Sequence, residues 1–345
     1  MSIGIQNLWR MGYGTLGWHV AGRRRPLNVM LSLTDRCTYL CNYCQIPLRK
    51  SREMTLEELR TLFGQMREAG VARLGLWGGE PLVRKDIAEI LRSAKEHGFY
   101  ISVDTNGQLA SKRLDAVPYA DHFVVSLDGR EDAHDRNRVA GAHAGAIEGI
   151  RLLAGRTRLW TITVLTRHNL GDIDYVLDLA RTHGFLATFQ VLHHNEVLGY
   201  NSGDLAPADD DLRGAVARLI DAKERGAPIA NTAHYLRYLR AWPDYAKPMS
   251  RERVGWLPCV AGDLFANIDT NGDLYPCSLT VGLVPKKNVL EVGFAEAFRA
   301  TSRMGCESCD ASCYVEYNHL HALHPGAIAD FTGAVALRKT APAAP

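Results

Sequence analysis

The sequence has no dominant charge: 40 Lys and Arg stand against 38 Asp and Glu, a formal net of +2 over 345 residues. That balance gives no bulk electrostatic reason to expect nucleic acid as a partner. No uninterrupted apolar run approaches the roughly 20 residues that a spanning helix needs, so an integral helical membrane protein is excluded. A secretory start is missing too, because "MGYGTLGWHVAG" is broken by glycines and is followed, not preceded, by Arg23, Arg24 and Arg25. A cytoplasmic location is expected. No internal repeat or low-complexity segment stands out. With 46% hydrophobic and 23% charged residues, the composition is that of a globular chain, long enough for one large domain with an extension or for two domains.

Cysteine is scarce, 8 in all, yet three fall within eight residues of "DRCTYLCNYCQIP", spaced C-x-x-x-C-x-x-C at Cys37, Cys41 and Cys44. In a reducing compartment such thiols read as metal ligands rather than as disulfides.

Between residues 27 and 193 short β-type runs alternate with amphipathic segments, the pattern of βα units around a parallel sheet. The expected strands are "LNVMLSL", "RLGLWG", "YISVDT", "HFVVSL", "LWTITVL" and "ATFQVL". Thr55 and Glu58 form a candidate capping box, followed by Leu59, Leu62, Phe63 and Met66 at helical spacing. Six right-handed units suggest an α/β fold, a partial (β/α)6 TIM-like barrel. The expected division is an amphipathic extension over 1–26, the barrel over 27–195, a helical connection over 196–249, a small cysteine-bearing module over 250–325 and a flexible tail over 326–345. A polar loop, "HHNEVLGYNSGDLAPADDD", opens the connection before a helix at roughly 209 to 225.

Cys37, Cys41 and Cys44 follow the first expected strand, which places them at the C-terminal mouth of the barrel, where such folds build active sites. A structural zinc or an electron-transfer cluster takes four protein ligands. Three thiolates on a tight loop instead leave one iron of a [4Fe-4S] cluster open; a zinc site with a distant fourth ligand is the alternative.

This C-x-x-x-C-x-x-C spacing, with Tyr43 before the third cysteine, resembles the radical S-adenosylmethionine superfamily. The resemblance implies that the open iron is chelated by the amino and carboxylate groups of S-adenosylmethionine. It further implies that an electron from the reduced cluster breaks the S–C5′ bond to give a 5′-deoxyadenosyl radical. Further motifs agree in order on successive strand ends: "GGEP" at Gly78, Gly79, Glu80 and Pro81, "TNG" from Thr105 and Asn106, and "SLDG" from Ser126 through Asp128. The two glycines permit close backbone approach, and the carboxylate accepts hydrogen bonds from an ammonium group. Each motif alone also reads as a turn. "HDRNRVAGAHAGAIEGIRLL" is similar to the stretch after the fourth strand in relatives, which makes Arg138 a candidate for the cofactor carboxylate. Gln190 on the sixth strand is a further cofactor candidate.

The remaining five cysteines lie in "CVAGDLFANIDTNGDLYPC" and "CESCDASC". They resemble the SPASM auxiliary-cluster domain and its shortened form, twitch, although the full SPASM pattern has seven cysteines. Five cysteines suffice for one more [4Fe-4S] cluster, with Cys259, Cys277, Cys306 and Cys309 as preferred ligands and zinc as the alternative metal. Cys313 is an alternative ligand, a free thiol that gives hydrogen to a product radical, or an inert buried cysteine. Tyr317 and His193 are the first acid–base candidates, from "YVEYNHLHALH" and from the end of the sixth strand, where His194 also stands.

The layout further resembles adenosylhopane synthase, which favours a lipid, isoprenoid or other small-molecule substrate. Ile5, Leu8, Trp9, Tyr13, Leu16 and Val20 fall on one helical face beside Arg10 and Arg23 to Arg25, a composition suited to peripheral contact with the inner membrane surface. A helix packed on the barrel wall is the plainer reading. The rivals are a ribosomally made peptide, for which 36 residues before Cys37 are few for a leader-recognition domain, and a sugar or alcohol oxidised beside the auxiliary cluster. A reductant such as flavodoxin or ferredoxin is implied. An iron–sulfur carrier or scaffold has no use for "GGEP" and "TNG".

Overall fold

The structure, a computed structural model, describes residues 4–193, 203–303 and 305–336. Its strands and helices begin in the order expected. The six strands β1 (Asn28–Ser32), β2 (Arg73–Trp77), β3 (Tyr100–Thr105), β4 (His122–Ser126), β5 (Arg158–Leu165) and β6 (Leu186–Val191) coincide with the apolar runs of the sequence. Neighbours pair in parallel from β1 through β6. Outside them lie α2 (Leu56–Ala69), α3 (Ile87–Glu96), α4 (Glu131–Asn137), α5 (Ala142–Leu153) and α6 (Ile173–His183). The Thr55–Glu58 capping box forms, and α2 buries Leu59, Leu62, Phe63 and Met66 against the outer face of the sheet. Outward side chains such as Val29, Leu31, Leu74, Leu76, Ile101 and Val103 complete that layer, fully removed from water.

The sheet does not end at β1. After α7 (Asp209–Glu224), α8 (Ala233–Arg240) and the short strand β7 (Met249–Ser250), the chain returns as β8 (Phe265–Ile268). This strand pairs in parallel with β1, Asn28 opposite Phe265 and Leu31 opposite Ile268. Then β9 (Asp273–Tyr275) and β10 (Lys287–Asn288) continue the same sheet antiparallel, giving the order β10-β9-β8-β1-β2-β3-β4-β5-β6. Residues read as a separate module thus supply three strands of one nine-stranded sheet. The chain closes with α9 (Val289–Val292), α10 (Phe294–Arg299), β11 (Ser308–Cys309), which pairs with β7, α11 (Ser312–His321) and α12 (Pro325–Ala336).

Two expectations differ from the structure. Residues 326–336, read as flexible tail, lie within α12, which buries Ala327 and ties Asp330 Oδ2 to the Ala233 N–H at 2.9 Å; residues 337–345 lie outside the described residues. At the other end, α1 (Ile5–Ala21) packs on the barrel, but through its small and polar side. Asn7 bonds Gly98 O at 3.0 Å, Thr15 meets His321 Nδ1 at 2.8 Å, and Gly14 lies so close to Leu27 that an added Cβ would stand 2.5 Å from it. The apolar stripe faces outward, with Ile5 and Trp9 72% and Val20 77% exposed. No described helix is long and apolar enough to cross a membrane.

Candidate functional site

The loop after β1 carries Cys37, Cys41 and Cys44, and both neighbouring strand ends hold it. From the β8 side, Thr270 Oγ1 lies 2.7 Å from Ser32 Oγ and donates to Asp35 Oδ1 at 3.0 Å. From the β2 side, the Gly79 and Glu80 N–H groups donate to Thr34 O and Arg36 O at 2.7 and 2.8 Å. A Cβ on Gly79 would sit 2.3 Å from Arg36 O, and Gly78 adds φ of +138°, so both positions require glycine. The close approach that "GG" permits is to the cysteine loop itself.

Glu80 is fully buried and does not line the cavity. It accepts bonds from Leu82 N at 3.0 Å, Thr105 Oγ1 at 2.8 Å and Asn106 N at 2.7 Å. Burial pushes its carboxyl up to about 7. Its place is that of a brace under the third strand end, which aims Asn106 Nδ2 at Thr38 Oγ1, 3.0 Å away, and at Cys37 Sγ, 3.7 Å away. Pro81 is buried beside it in a single 3-10 turn.

Behind Cys41, Arg138 Nε donates to Asp128 Oδ2 at 2.7 Å, and Tyr43 Oη donates to the same oxygen at 3.2 Å. Asp128 is wholly buried, and its other oxygen accepts from Val164 N at 3.0 Å. Arg138 thus carries its charge to the cavity wall with Nη1 at 3.9 Å from Cys41 Sγ. Burial pushes the Cys37 thiol up to about 11 and the Cys44 thiol up to about 12, and raises Cys41 against the lowering pull of Arg138. The free thiols are therefore protonated at neutral pH, and iron would displace their protons.

A cavity of about 260 Å³ opens beside the three thiols. Of the expected cofactor residues, Tyr43, Gly78, Gly79, Thr105, Asn106, Ser126, Arg138 and Gln190 line it, whereas Glu80, Pro81 and Asp128 stand behind. Three thiols at one end of a roomy, protein-walled cavity suit a cluster with an open iron and an adjoining small molecule. A second, smaller cavity is lined by Cys259, Cys277, Cys306 and Cys309 together. Burial pushes Cys277 up to about 12 and Cys306 up to about 11. Among the described residues no three His, Cys, Asp or Glu side chains converge as ligands of a single metal ion. These four thiols line one small cavity, which makes them the candidate ligands of an auxiliary metal group.

Cys313 parts company with those four. It projects from α11 into the first cavity, and its surroundings push the thiol up to about 12. His193 lines the same cavity, with Nε2 3.3 Å from Asp310 Oδ1 but not aligned for a hydrogen bond. Tyr317 is not brought there: one helical turn beyond Cys313, it packs over the Arg73 guanidinium, 5.4 Å from the ring centre, deeper in the barrel. His194 lies outside the described residues. Among the cavity residues that sequence reading passed over are Asp104 and Asn267. Asp104, pushed up to about 6 by burial, is the one acid in the inward alternation of "YISVDT", a signal that was available. Asn267 on β8 gave none.

Residues 31–180 match the model of the Radical SAM superfamily. The chain is 29% identical over 313 residues to a PqqA peptide cyclase of Ruegeria pomeroyi, covering 83% of this chain and 80% of that protein. In fold it is similar to Streptococcus suis SuiB bound to S-adenosylmethionine, with TM-score 0.63 and 20% identity; 80% of this chain matches 66% of SuiB. It is also similar to anSMEcpe with bound AdoMet and the Cp18Cys peptide, at TM-score 0.62 and 14% identity, over 89% of this chain and 99% of the other. The likeness of layout to adenosylhopane synthase finds no support in these relatives. The protein carries a radical SAM domain on a TIM-like partial barrel and is a radical S-adenosylmethionine enzyme, with a [4Fe-4S] cluster and S-adenosylmethionine as its cofactors.

Proposed function

We propose that this radical S-adenosylmethionine enzyme modifies a peptide, with Cys37, Cys41 and Cys44 holding the cluster that binds S-adenosylmethionine and Cys259, Cys277, Cys306 and Cys309 holding the auxiliary cluster. One observation carries the reading: a single cavity has the cysteine loop on one side and Ser278, Leu279, Ala311, Cys313 and Tyr314 of the auxiliary region on the other. A substrate there lies between the two cofactors. The relatives named for peptide cyclisation and bound to peptides favour a peptide over the lipid or small metabolite that the chain's layout suggested, and over an alcohol or sugar.

When bound, S-adenosylmethionine and its reduced cluster supply a 5′-deoxyadenosyl radical. The chain's own residues position and shield it. Arg138, its charge offset by Asp128, faces the cofactor carboxylate; Asn106, Ser126 and Gln190 offer hydrogen bonds along the strand ends. Tyr43, Val164, Leu192 and Leu205 pack apolar surface over Cys41 and Cys44 and keep water from that end. His193 is the residue placed to hold or move a substrate proton, and Cys313 the one placed to give a hydrogen atom. A low-potential flavodoxin or ferredoxin is the expected electron donor.

The test is anaerobic. Reconstituted protein is reduced, given S-adenosylmethionine and the short peptides encoded beside its gene, and assayed by mass spectrometry for 5′-deoxyadenosine and for peptide mass. A peptide mass change that vanishes in Cys41→Ala supports the proposal. Steady deoxyadenosine with every peptide unaltered sinks it.

A separate reading concerns α1. Its outward apolar stripe lies beside Arg10, which has Arg25 and Arg67 as charged neighbours, and residues 4–25 contain no acid to offset them. Apolar bulk beside clustered cations suits an anionic lipid surface, and peripheral contact there is the role proposed for this helix.

A further inference from the structure

The cavity has two halves of different character. The cofactor motifs line one. The other is walled by Met30 from β1, Asp104 from β3, Asn267 from β8 and Leu279, Ala311 and Cys313 from the auxiliary region. Met30 and Asn267 are paired neighbours in the sheet and share its inward face. Gly75, opposite Met30 on β2, leaves the space into which that side chain leans.

Asn267 is the unusual member. It is 0% exposed, and both its Oδ1 and its Nδ2 lack any hydrogen-bond partner among the described residues. A buried carboxamide without partners is costly, and natural interiors rarely keep one unless a ligand or an ordered solvent molecule completes it. Across the cavity Asp104, the only acid among the described lining residues, already has the Arg73 guanidinium close enough to pull its carboxyl down against burial. Asn267 thus presents one acceptor and one donor side by side, and the charge of Asp104 across from it is offset by Arg73. That pattern complements an uncharged amide, whose C=O and N–H read Nδ2 and Oδ1 in turn.

We infer that Asn267 forms a substrate subsite that hydrogen-bonds a peptide amide and so fixes which C–H of the substrate faces the cofactor half. The inference rests on the peptide reading above and adds to it the group that is recognised and the residue that recognises it. It also explains why β8 is sewn into the barrel sheet: the strand brings this carboxamide to the wall beside Met30.

The experiment uses the full chain, cluster-loaded and with S-adenosylmethionine bound, and ligand-observed NMR with three small probes. N-methylacetamide carries the peptide group, methyl acetate replaces its N–H by oxygen, and methylammonium carries a charge. The wild type should bind the amide about fivefold tighter than the ester, the scale of a single net hydrogen bond. Asn267→Leu should bring the two within about twofold while melting at or above the wild-type temperature, because an unpartnered buried amide has been removed. Asn267→Thr, which keeps a hydroxyl and suits a strand, should fall between. Affinity for S-adenosylmethionine should be the same in all three proteins. An amide preference that survives Asn267→Leu, or a wild type without one, overturns the subsite. So does tighter binding of methylammonium, which would assign the recess to Asp104. None of these outcomes depends on turnover, so the peptide proposal stands or falls on its own mass-shift assay.

Discussion

Arg138 Nε lies 2.7 Å from Asp128 Oδ2, and the pair is buried directly behind Cys41. A buried pair is weak evidence of net stabilisation, yet breaking it leaves an uncompensated charge in a low dielectric. Arg138→Met should therefore cost about 3–5 kcal/mol in urea unfolding, and the double variant with Asp128→Leu should recover part of that loss. Deoxyadenosine formation should fall in both by at least about 100-fold, since the cation proposed to face the cofactor is gone from each. A double variant that regains activity would remove Arg138 from the cofactor site.

Glu80 makes stability depend on pH in a direction opposite to that of a salt-bridged acid. Its carboxyl titrates at about 7 when folded against the ordinary value of 4.5. Between these values the folded chain binds the extra proton, so the contribution is full below pH 4.5 and is lost as pH rises through 7, by up to roughly 3 kcal/mol. In cofactor-free protein, the difference in unfolding free energy between wild type and Glu80→Gln should decline across that window. A flat difference would refute the assignment.

Iron counting separates the C-terminal cysteines. Cys306→Ala should fall from about eight irons per chain to about four, the content of a single remaining cluster. Cys313→Ala should keep about eight, because its thiol lines the other cavity. The reverse pattern would exchange their roles.

The outward stripe of α1 is testable by vesicle flotation. Wild-type protein should rise with anionic vesicles, and a Trp9→Glu, Leu16→Glu variant should stay at the bottom with its unfolding curve unchanged, both side chains being exposed. Equal flotation of the two would remove the lipid surface as the partner of this helix.

The sequence showed most where its signal is local. Each barrel strand is an apolar run bounded by turns, and the cysteine spacing carries its own stoichiometry. Long-range placement was less legible. "FANI" is too short to announce that it pairs with β1 more than 230 residues earlier, so Asn267 could not be placed in the cavity. The rule that apolar faces turn inward misleads for α1, where Gly14, Asn7 and Thr15 allow a closer approach to the barrel than the larger side chains opposite. "GGEP" was visible as a motif, but that its glutamate braces a neighbouring strand depends on the parallel alignment of β2 with β3.

The pairing of β8 with β1 has a practical side for anyone preparing a minimal version of this enzyme. Cutting the chain before residue 265 would not release a tidy catalytic core. It would uncover the backbone of Asn28–Leu31 along its whole length, an apolar and untapered margin of the kind that recruits strands from other molecules. The same cut would remove Thr270 from Ser32 and Asp35, so the loop bearing Cys37 would lose one of its two moorings just as the protein began to clump.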